Sequence, residues 1–261
     1  MTESVFQTAK FYDLHNASVF ITGGGAGIGA ALTEGFLQQG AKVAFVQRSE
    51  CAEFYQAMTE RYPENPPHFM QCDVTDTARL QACLQQASDK HGAITVLVNN
   101  AANDYRHDLM SLSAEQWNES MNVNLRPHFF TAQAVVPNMI KKGYGSIINL
   151  SSISYLMGNA DYPAYVTAKA GITGLTRALA REVGEHGIRV NALLPGWVMT
   201  ERQLTLWADA TSKAEHLQKQ CLKEHLAPVD IVGTALFLAS KISRMITSQA
   251  LVVDGGVVMT G

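Results

Sequence analysis

The chain has 261 residues, 47% of them apolar, and a formal charge of −3 at pH 7. That is ample material for a sizeable core in one large α/β domain or two small ones, and the absence of a basic excess argues against a nucleic-acid partner. No apolar run reaches membrane-spanning length, and the opening MTESVFQTAKFYDLHN lacks the basic and apolar regions of a secretory signal. Cys51, Cys72, Cys83 and Cys221 are scattered without metal-ligand spacing or a disulfide framework, which points to reduced thiols, a cytoplasmic location and no metal site.

The first predicted element is a short strand, Ser18 to Thr22, which breaks into Gly23-Gly24-Gly25-Ala26-Gly27-Ile28-Gly29. A helical pattern follows from about Ala30 to Gln39 and stops at Gly40. Strand, glycine loop and helix in that order form a phosphate-binding turn, because backbone without Cβ can approach a pyrophosphate and the first helical N–H groups point at it. A merely flexible loop is the plain alternative, and the flanking elements count against it. The second strand, Lys42 to Val46, ends in Gln47 and Arg48. A dinucleotide fold commonly places a carboxylate here for the ribose hydroxyls. Gln47 in its place, with Arg48 beside it, tolerates a 2′-phosphate yet can still bond a hydroxyl, so NAD and NADP both stay open.

His68 to Cys72 reads as a third strand, followed by Asp73 and Val74; Asp73 or Asp76 could cap the next helix. The fourth strand, Ile94 to Val98, runs into Asn99-Asn100-Ala101-Ala102, small and amide residues suited to lining a ligand at the carboxyl end of a sheet. Ser113 and Gln116 make a capping box for a helix that is expected to carry Trp117 and Met121 inward and to end at Asn124. As a bare residue Asn124 reads as a helix cap, and His128, with its helix through Lys142, reads as structural.

Gly145 to Leu150 is the fifth strand and delivers Ser151 and Ser152. Asp161 to Gly187 has the pattern of one helix, with Pro163 suited to its first turn and Ala164, Ala168, Ile172, Leu175, Leu179 and Val183 on one apolar face. Tyr165 and Lys169 are a helical turn apart and share a face. A phenol of pKa about 10 is a poor base at neutral pH, and a neighbouring ammonium is expected to draw that value down. A core-capping tyrosine beside a solvated lysine is the plain alternative. The sixth strand, Ile188 to Leu194, leads to Pro195-Gly196-Trp197-Val198-Met199-Thr200. A polar helical stretch over 201–228 suits a substrate lid; a helix from about Pro228 to Ser240 and a last strand, Ala250 to Val253, complete the chain. Strands alternating with helices give a single domain over 1–261, a Rossmann-type doubly wound parallel sheet of seven strands with helices on both faces.

From Val19 to Gly256 the chain resembles the short-chain dehydrogenase/reductase family. The motifs are TGGGAGIG at the first turn, NNAA where the family has NNAG, a serine pair ahead of the Tyr165/Lys169 pair, Pro195-Gly196, and a closing Asp254-Gly255-Gly256. The resemblance implies an NAD or NADP cofactor. Its adenosine and pyrophosphate would meet Thr22, Gly23, Gly25, Gly27, Ile28, Gly29, Gln47, Arg48, Asp73, Val74, Asn100 and Ala101, with Asp73 at the adenine amino group. Its nicotinamide half would meet Tyr165, Lys169, Pro195, Gly196, Val198 and Thr200. The implied catalytic residues are Asn124, Ser152, Tyr165 and Lys169: Ser152 bonds the reacting oxygen, Tyr165 exchanges its proton, Lys169 lowers the tyrosine pKa, and Asn124 holds a water between Lys169 and solvent.

Within the family, Asn103-Asp104-Tyr105-Arg106-His107, SSISYLMG and PGWVMTERQ are similar to bacterial aldose 1-dehydrogenases of the D-xylose type. That similarity implies hydride transfer from the anomeric C1–OH and an aldonolactone product. Asn103, Asp104, Arg106, Ser154, Asn159, Trp197 and Arg202 are the candidate sugar contacts, each of which could instead be loop chemistry. Arg106 or Arg202 facing the pocket would admit an acidic or sulfonated sugar. The family also implies a homotetramer assembled through the long helices. Three other readings compete: a ketone or 3-oxoacyl reductase of the same family, a non-catalytic nucleotide-binding protein, and an acyl hydrolase at Ser152, for which no G-x-S-x-G elbow is present.

Overall fold

A computed structural model describes residues 9–259. Seven strands, β1 (Ser18–Thr22), β2 (Lys42–Gln47), β3 (His68–Gln71), β4 (Val96–Asn99), β5 (Gly145–Leu150), β6 (Ile188–Pro195) and β7 (Ala250–Val253), form one sheet in the order β3-β2-β1-β4-β5-β6-β7. Every pairing is parallel. The helices between them are α1 (Gly27–Gln38), α2 (Ala52–Arg61), α3 (Thr77–His91), α4 (Ala114–Asn124), α5 (Arg126–Lys142), α6 (Ser154–Met157), α7 (Pro163–Val183), α8 (Glu201–Leu206), α9 (Ala210–Lys219) and α10 (Val229–Ala239).

A parallel sheet covered on both faces needs strands that are apolar throughout, and β1 and β5 are buried along their whole length. The two-residue period then sorts side chains between two cores. Val19, Ile21, Val43 and Phe45 face one core with Leu32 and Phe36 of α1, Met58 of α2 and Ile231 and Val232 of α10. Phe20, Ala44, Val46 and Ile147 face the other with Leu84 of α3, Val135 and Met139 of α5 and Leu179 of α7. Full burial of side chains of this size contributes about 1.5–3 kcal/mol each.

α7 begins at Pro163 and passes at Gly184 into a short 3₁₀ turn that closes at Gly187, whose φ of +73° is the left-handed stop the sequence suggested. The capping box of Ser113 and Gln116 is present at the start of α4. Its inward face is not as expected. Trp117 is 38% exposed and Met121 only half-buried, because α4 packs outside the sheet layer against α5 and α7 and buries only Asn124. Among the described residues no helix is long and apolar enough to cross a membrane.

β1 and β4 are neighbours, and the chain winds outward from them in opposite directions. That reversal opens a crevice at the carboxyl ends of the central strands, the usual ligand position in such a sheet.

Candidate active site

A cleft of about 1040 Å³ fills this crevice, walled by the residues that follow β1 to β6 and roofed by α8 and α9. Its first wall is the glycine turn. Gly23 and Gly27 have φ of +68° and +52°, and a Cβ on Gly29 would lie 1.8 Å from the Gly23 carbonyl oxygen, so only glycine lets the start of α1 close on the turn. Ala26 gives α1 no side-chain cap and its first turn holds no acid, so its leading N–H groups face the cleft wall without an internal anion. A diphosphate fits this donor set.

The expected cofactor contacts divide in two. Gly23, Gly27, Ile28, Gly29, Gln47, Arg48, Asp73, Val74, Asn100, Ala101, Pro195, Gly196, Val198 and Thr200 all line the cleft. Thr22 and Gly25 stand behind it. The Thr22 hydroxyl accepts from the N–H groups of Asn100 (2.9 Å) and Ala101 (3.0 Å), a buried brace between β1 and β4. Gly25 donates its N–H to Gln47 Oε1 at 3.2 Å and is covered by Cys51. Gln47 is thus folded onto the turn, while Arg48 is exposed at the rim. The Asp73 carboxylate accepts from the N–H and hydroxyl of Thr75, and Asp76, not Asp73, caps α3.

The end of β5 and the buried face of α7 bring Ser152, Tyr165 and Lys169 together in the middle of the cleft. The Ser152 hydroxyl accepts from the Ser154 N–H at 3.1 Å and neighbours the Tyr165 phenol. Lys169 is 2% exposed; its Nζ donates to the Leu150 carbonyl at 2.8 Å and lies 5.4 Å from the Tyr165 ring centre. Ser151 donates to the Lys169 carbonyl at 2.7 Å, tying β5 to α7.

The electrostatics differ from the sequence expectation. Burial pushes the Tyr165 phenol well above its ordinary value; the Asp104 carboxylate and Tyr162 add to the rise, and the Ser152 hydroxyl opposes it. Part of the Tyr165 surface stays open to the cleft, so solvent moderates the effect. Burial lowers Lys169 to about 7, against a smaller upward pull from Asp104. The ammonium therefore does not by itself make the phenol acidic, since the low-dielectric surroundings disfavour charge on both groups.

Asn124 ends α4, buried, and does not line the cleft. Its Oδ1 accepts from the Asn103 N–H at 2.8 Å, and its Nδ2 donates to the carbonyls of Asn103 and Ser120, each at 3.0 Å. The side chain thereby pins the loop that follows β4. His128 is fully enclosed on α5, and burial, with the nearby Lys169 charge, lowers it to about 3, so it is neutral. Among the described residues no group of three His, Cys, Asp or Glu side chains could hold a metal ion.

Three of the seven candidate sugar contacts, Asn103, Asp104 and Arg202, are bonded to one another, and Gln203 joins Trp197 to them. Asp104 accepts from Arg202 Nε (3.3 Å) and Gln203 Nε2 (2.7 Å), Arg202 also donates to the Asn103 side chain (3.0 Å), and Trp197 Nε1 donates to Gln203 Oε1 (2.8 Å). Together they latch the roof to the loop after β4. Thr200 caps α8 through its hydroxyl, and a parallel bridge between Val198 and Leu226 closes the roof segment at its base. Ser154 is buried, Asn159 donates to the Tyr162 hydroxyl at 3.0 Å, and Arg106 lies against Trp207. The sequence reading missed Gln203 and Tyr162. Tyr162 carried one signal, its place a turn before Tyr165; its ring stacks on Tyr165 at 5.3 Å.

An oxidoreductase working through a nicotinamide dinucleotide is the class that this sheet, turn and hydroxyl–amine cluster define. A family model described as enoyl-(acyl carrier protein) reductase matches residues 23–258, and the chain belongs to the short-chain dehydrogenase/reductase family, whose members use NAD(P). It is 48% identical to a probable galactose dehydrogenase, GalD, of Rhizobium meliloti, across 96% of this chain and 98% of that one. It is 42% identical to D-xylose 1-dehydrogenase of Caulobacter vibrioides, across 95% and 98%. A crystal structure of a putative gluconate dehydrogenase from Agrobacterium tumefaciens superposes with a TM-score of 0.89 at 28% identity, covering 95% of this chain and 98% of that one.

Proposed function

We propose that the protein is an aldose 1-dehydrogenase, removing hydride from C1 of a cyclic sugar to give the aldonolactone. The observation that carries this reading is the meeting of the Ser152 and Tyr165 hydroxyls over a buried Lys169 beside the glycine turn. The relatives named for galactose and D-xylose support a sugar as the small-molecule substrate. Ser152 holds the anomeric oxygen, and Tyr165 takes its proton. Lys169, close to half-protonated at neutral pH, compensates the charge that forms on the phenol and presents its amine to the cofactor ribose. Asn124 fixes the substrate loop and, through that loop, the proton path. When bound, the oxidised nicotinamide supplies the hydride acceptor and a positive charge next to this pair. The turn and α1 hold the pyrophosphate, and the backbone from Pro195 to Val198 with Thr200 orients the ring.

The end of β2 carries no carboxylate to repel a 2′-phosphate, and Arg48 stands free of the fold at the rim, so NADP is admitted along with NAD. The single domain spans 1–261, with the segment 201–228 as its lid. Exposed Trp117 and Phe129 on α4 and α5 support assembly into a homotetramer through those helices. Four free thiols, two of them buried, suit the cytoplasm.

Initial rates for a panel of aldoses, each with NAD and with NADP, test the reading. Lactone formation from at least one aldose is the expected result. Faster turnover of a 3-oxoacyl thioester, the competing ketone-reductase reading of the sequence, would overturn it.

A further inference from the structure

The cleft holds a cation that neither the fold nor the proton chemistry uses. Arg106, on the loop after β4, has its guanidinium carbon 4.4 Å from the Trp207 ring centre and 5.3 Å from that of Tyr162. Among the described residues it has no carboxylate within ion-pair distance, and the two acids on its own loop are committed elsewhere, Asp104 to Arg202 and Gln203 and Asp108 to the N–H groups of Met110 and Ser111. Among the described residues its Nε is buried without a partner, and the same holds for Nε1 of Trp207, the roof side chain it lies against in the same cleft. Buried polar atoms are nearly always hydrogen-bonded, so two such atoms on stacked side chains of a ligand cleft call for an acceptor-rich ligand. A guanidinium fixed on aromatic faces keeps its edge for a planar or tetrahedral oxyanion.

Position gives the rest. Arg106 is one 5.3 Å step from the Tyr162 ring, which is another 5.3 Å from the Tyr165 ring. A pyranose whose C1 meets Tyr165 and whose ring lies on the Tyr162 side turns its far substituent towards Arg106. We propose that Arg106, held on Trp207 and Tyr162, forms a subsite for an anionic group on the sugar carbon remote from C1, so that the preferred substrate is a hexose bearing a carboxylate, sulfonate or phosphate there. This rests on the sugar 1-dehydrogenase reading and narrows its substrate.

The test compares kcat/KM for glucose, glucuronate, glucose 6-phosphate and a 6-sulfonated glucose, in the wild type, Arg106→Met and Arg106→Lys. One anionic sugar should exceed glucose by about 10- to 100-fold, the range of a charge-assisted bond, and its identity tells carboxylate from sulfonate from phosphate. Arg106→Met should bring the anionic-to-neutral ratio towards one. Arg106→Lys, which keeps the charge and loses the fork, should fall between, and it serves alone if the methionine variant does not fold. Glucose equal to or better than every anionic sugar, with the ratio unmoved in the variants, overturns the subsite and leaves the 1-dehydrogenase standing. Oxidation of none of the four by protein that binds cofactor overturns both.

Discussion

Tyr165 and Lys169 share a buried stripe of α7, where the same desolvation raises the phenol and lowers the amine. The pair is therefore poised by its surroundings more than by mutual attraction, and the Asp104 charge biases both upward. Sugar oxidation should climb with pH above neutrality as the phenolate becomes accessible. Asp104→Asn removes a negative charge that disfavours the phenolate, so the climb should move to lower pH, by about half to one unit; a pH profile of kcat/KM reads the shift. Tyr165→Phe should lower kcat by about 10²–10⁴-fold, with cofactor affinity, measured by nicotinamide fluorescence titration, changed by less than about threefold. Helical spacing alone made Tyr165 and Lys169 legible as a unit in the sequence. The part played by Asp104 was not legible, because the loop after β4 reaches the pair only through the folding of the sheet.

Element boundaries in this chain follow its punctuation. β1 and β5 begin and end where the apolar runs meet glycine, serine or asparagine, and Gly40 and Gly187 stop their helices in left-handed geometry. The face of α4 was misread because periodicity shows that a helix has an apolar side without showing what that side meets. Here Trp117 points away from the sheet. The roof was legible as a lid from its polarity, but not its fastening. Gln203 alone joins Trp197 to Asp104. Gln203→Ala deletes two partly buried hydrogen bonds of about 0.5–1.5 kcal/mol each, so the KM for sugar should rise about tenfold. Limited proteolysis within 201–219 should accelerate in the same variant. Unchanged KM and unchanged cleavage would show that the latch does not hold the roof.

Alternation of strand and helix dictates the doubly wound sheet, and the switch between β1 and β4 puts every chemically interesting loop at one edge of it. That placement explains why a short sequence motif after each strand could be read as part of a single site. Global stability carries a pH signature of its own. Burial lowers His91 to about 4 and His128 to about 3, whereas the unfolded chain binds those protons near 6.5. Stability should hold above pH 6.5 and fall as pH drops towards 3–4, with the loss complete once both folded-state values are passed. Lys169 adds a rise between about 7 and 10.5, because the unfolded chain keeps its proton across that window. Thermal unfolding followed by circular dichroism across this range checks both limbs. The most direct measurement of the central claim uses an accepted aldose deuterated at C1, with the reduced cofactor and first-formed product analysed by NMR. The expected result is deuterium on the nicotinamide ring and an aldonolactone free of the label. Deuterium retained in the sugar product, with an unlabelled nicotinamide ring, would contradict oxidation at C1 between Ser152 and Tyr165.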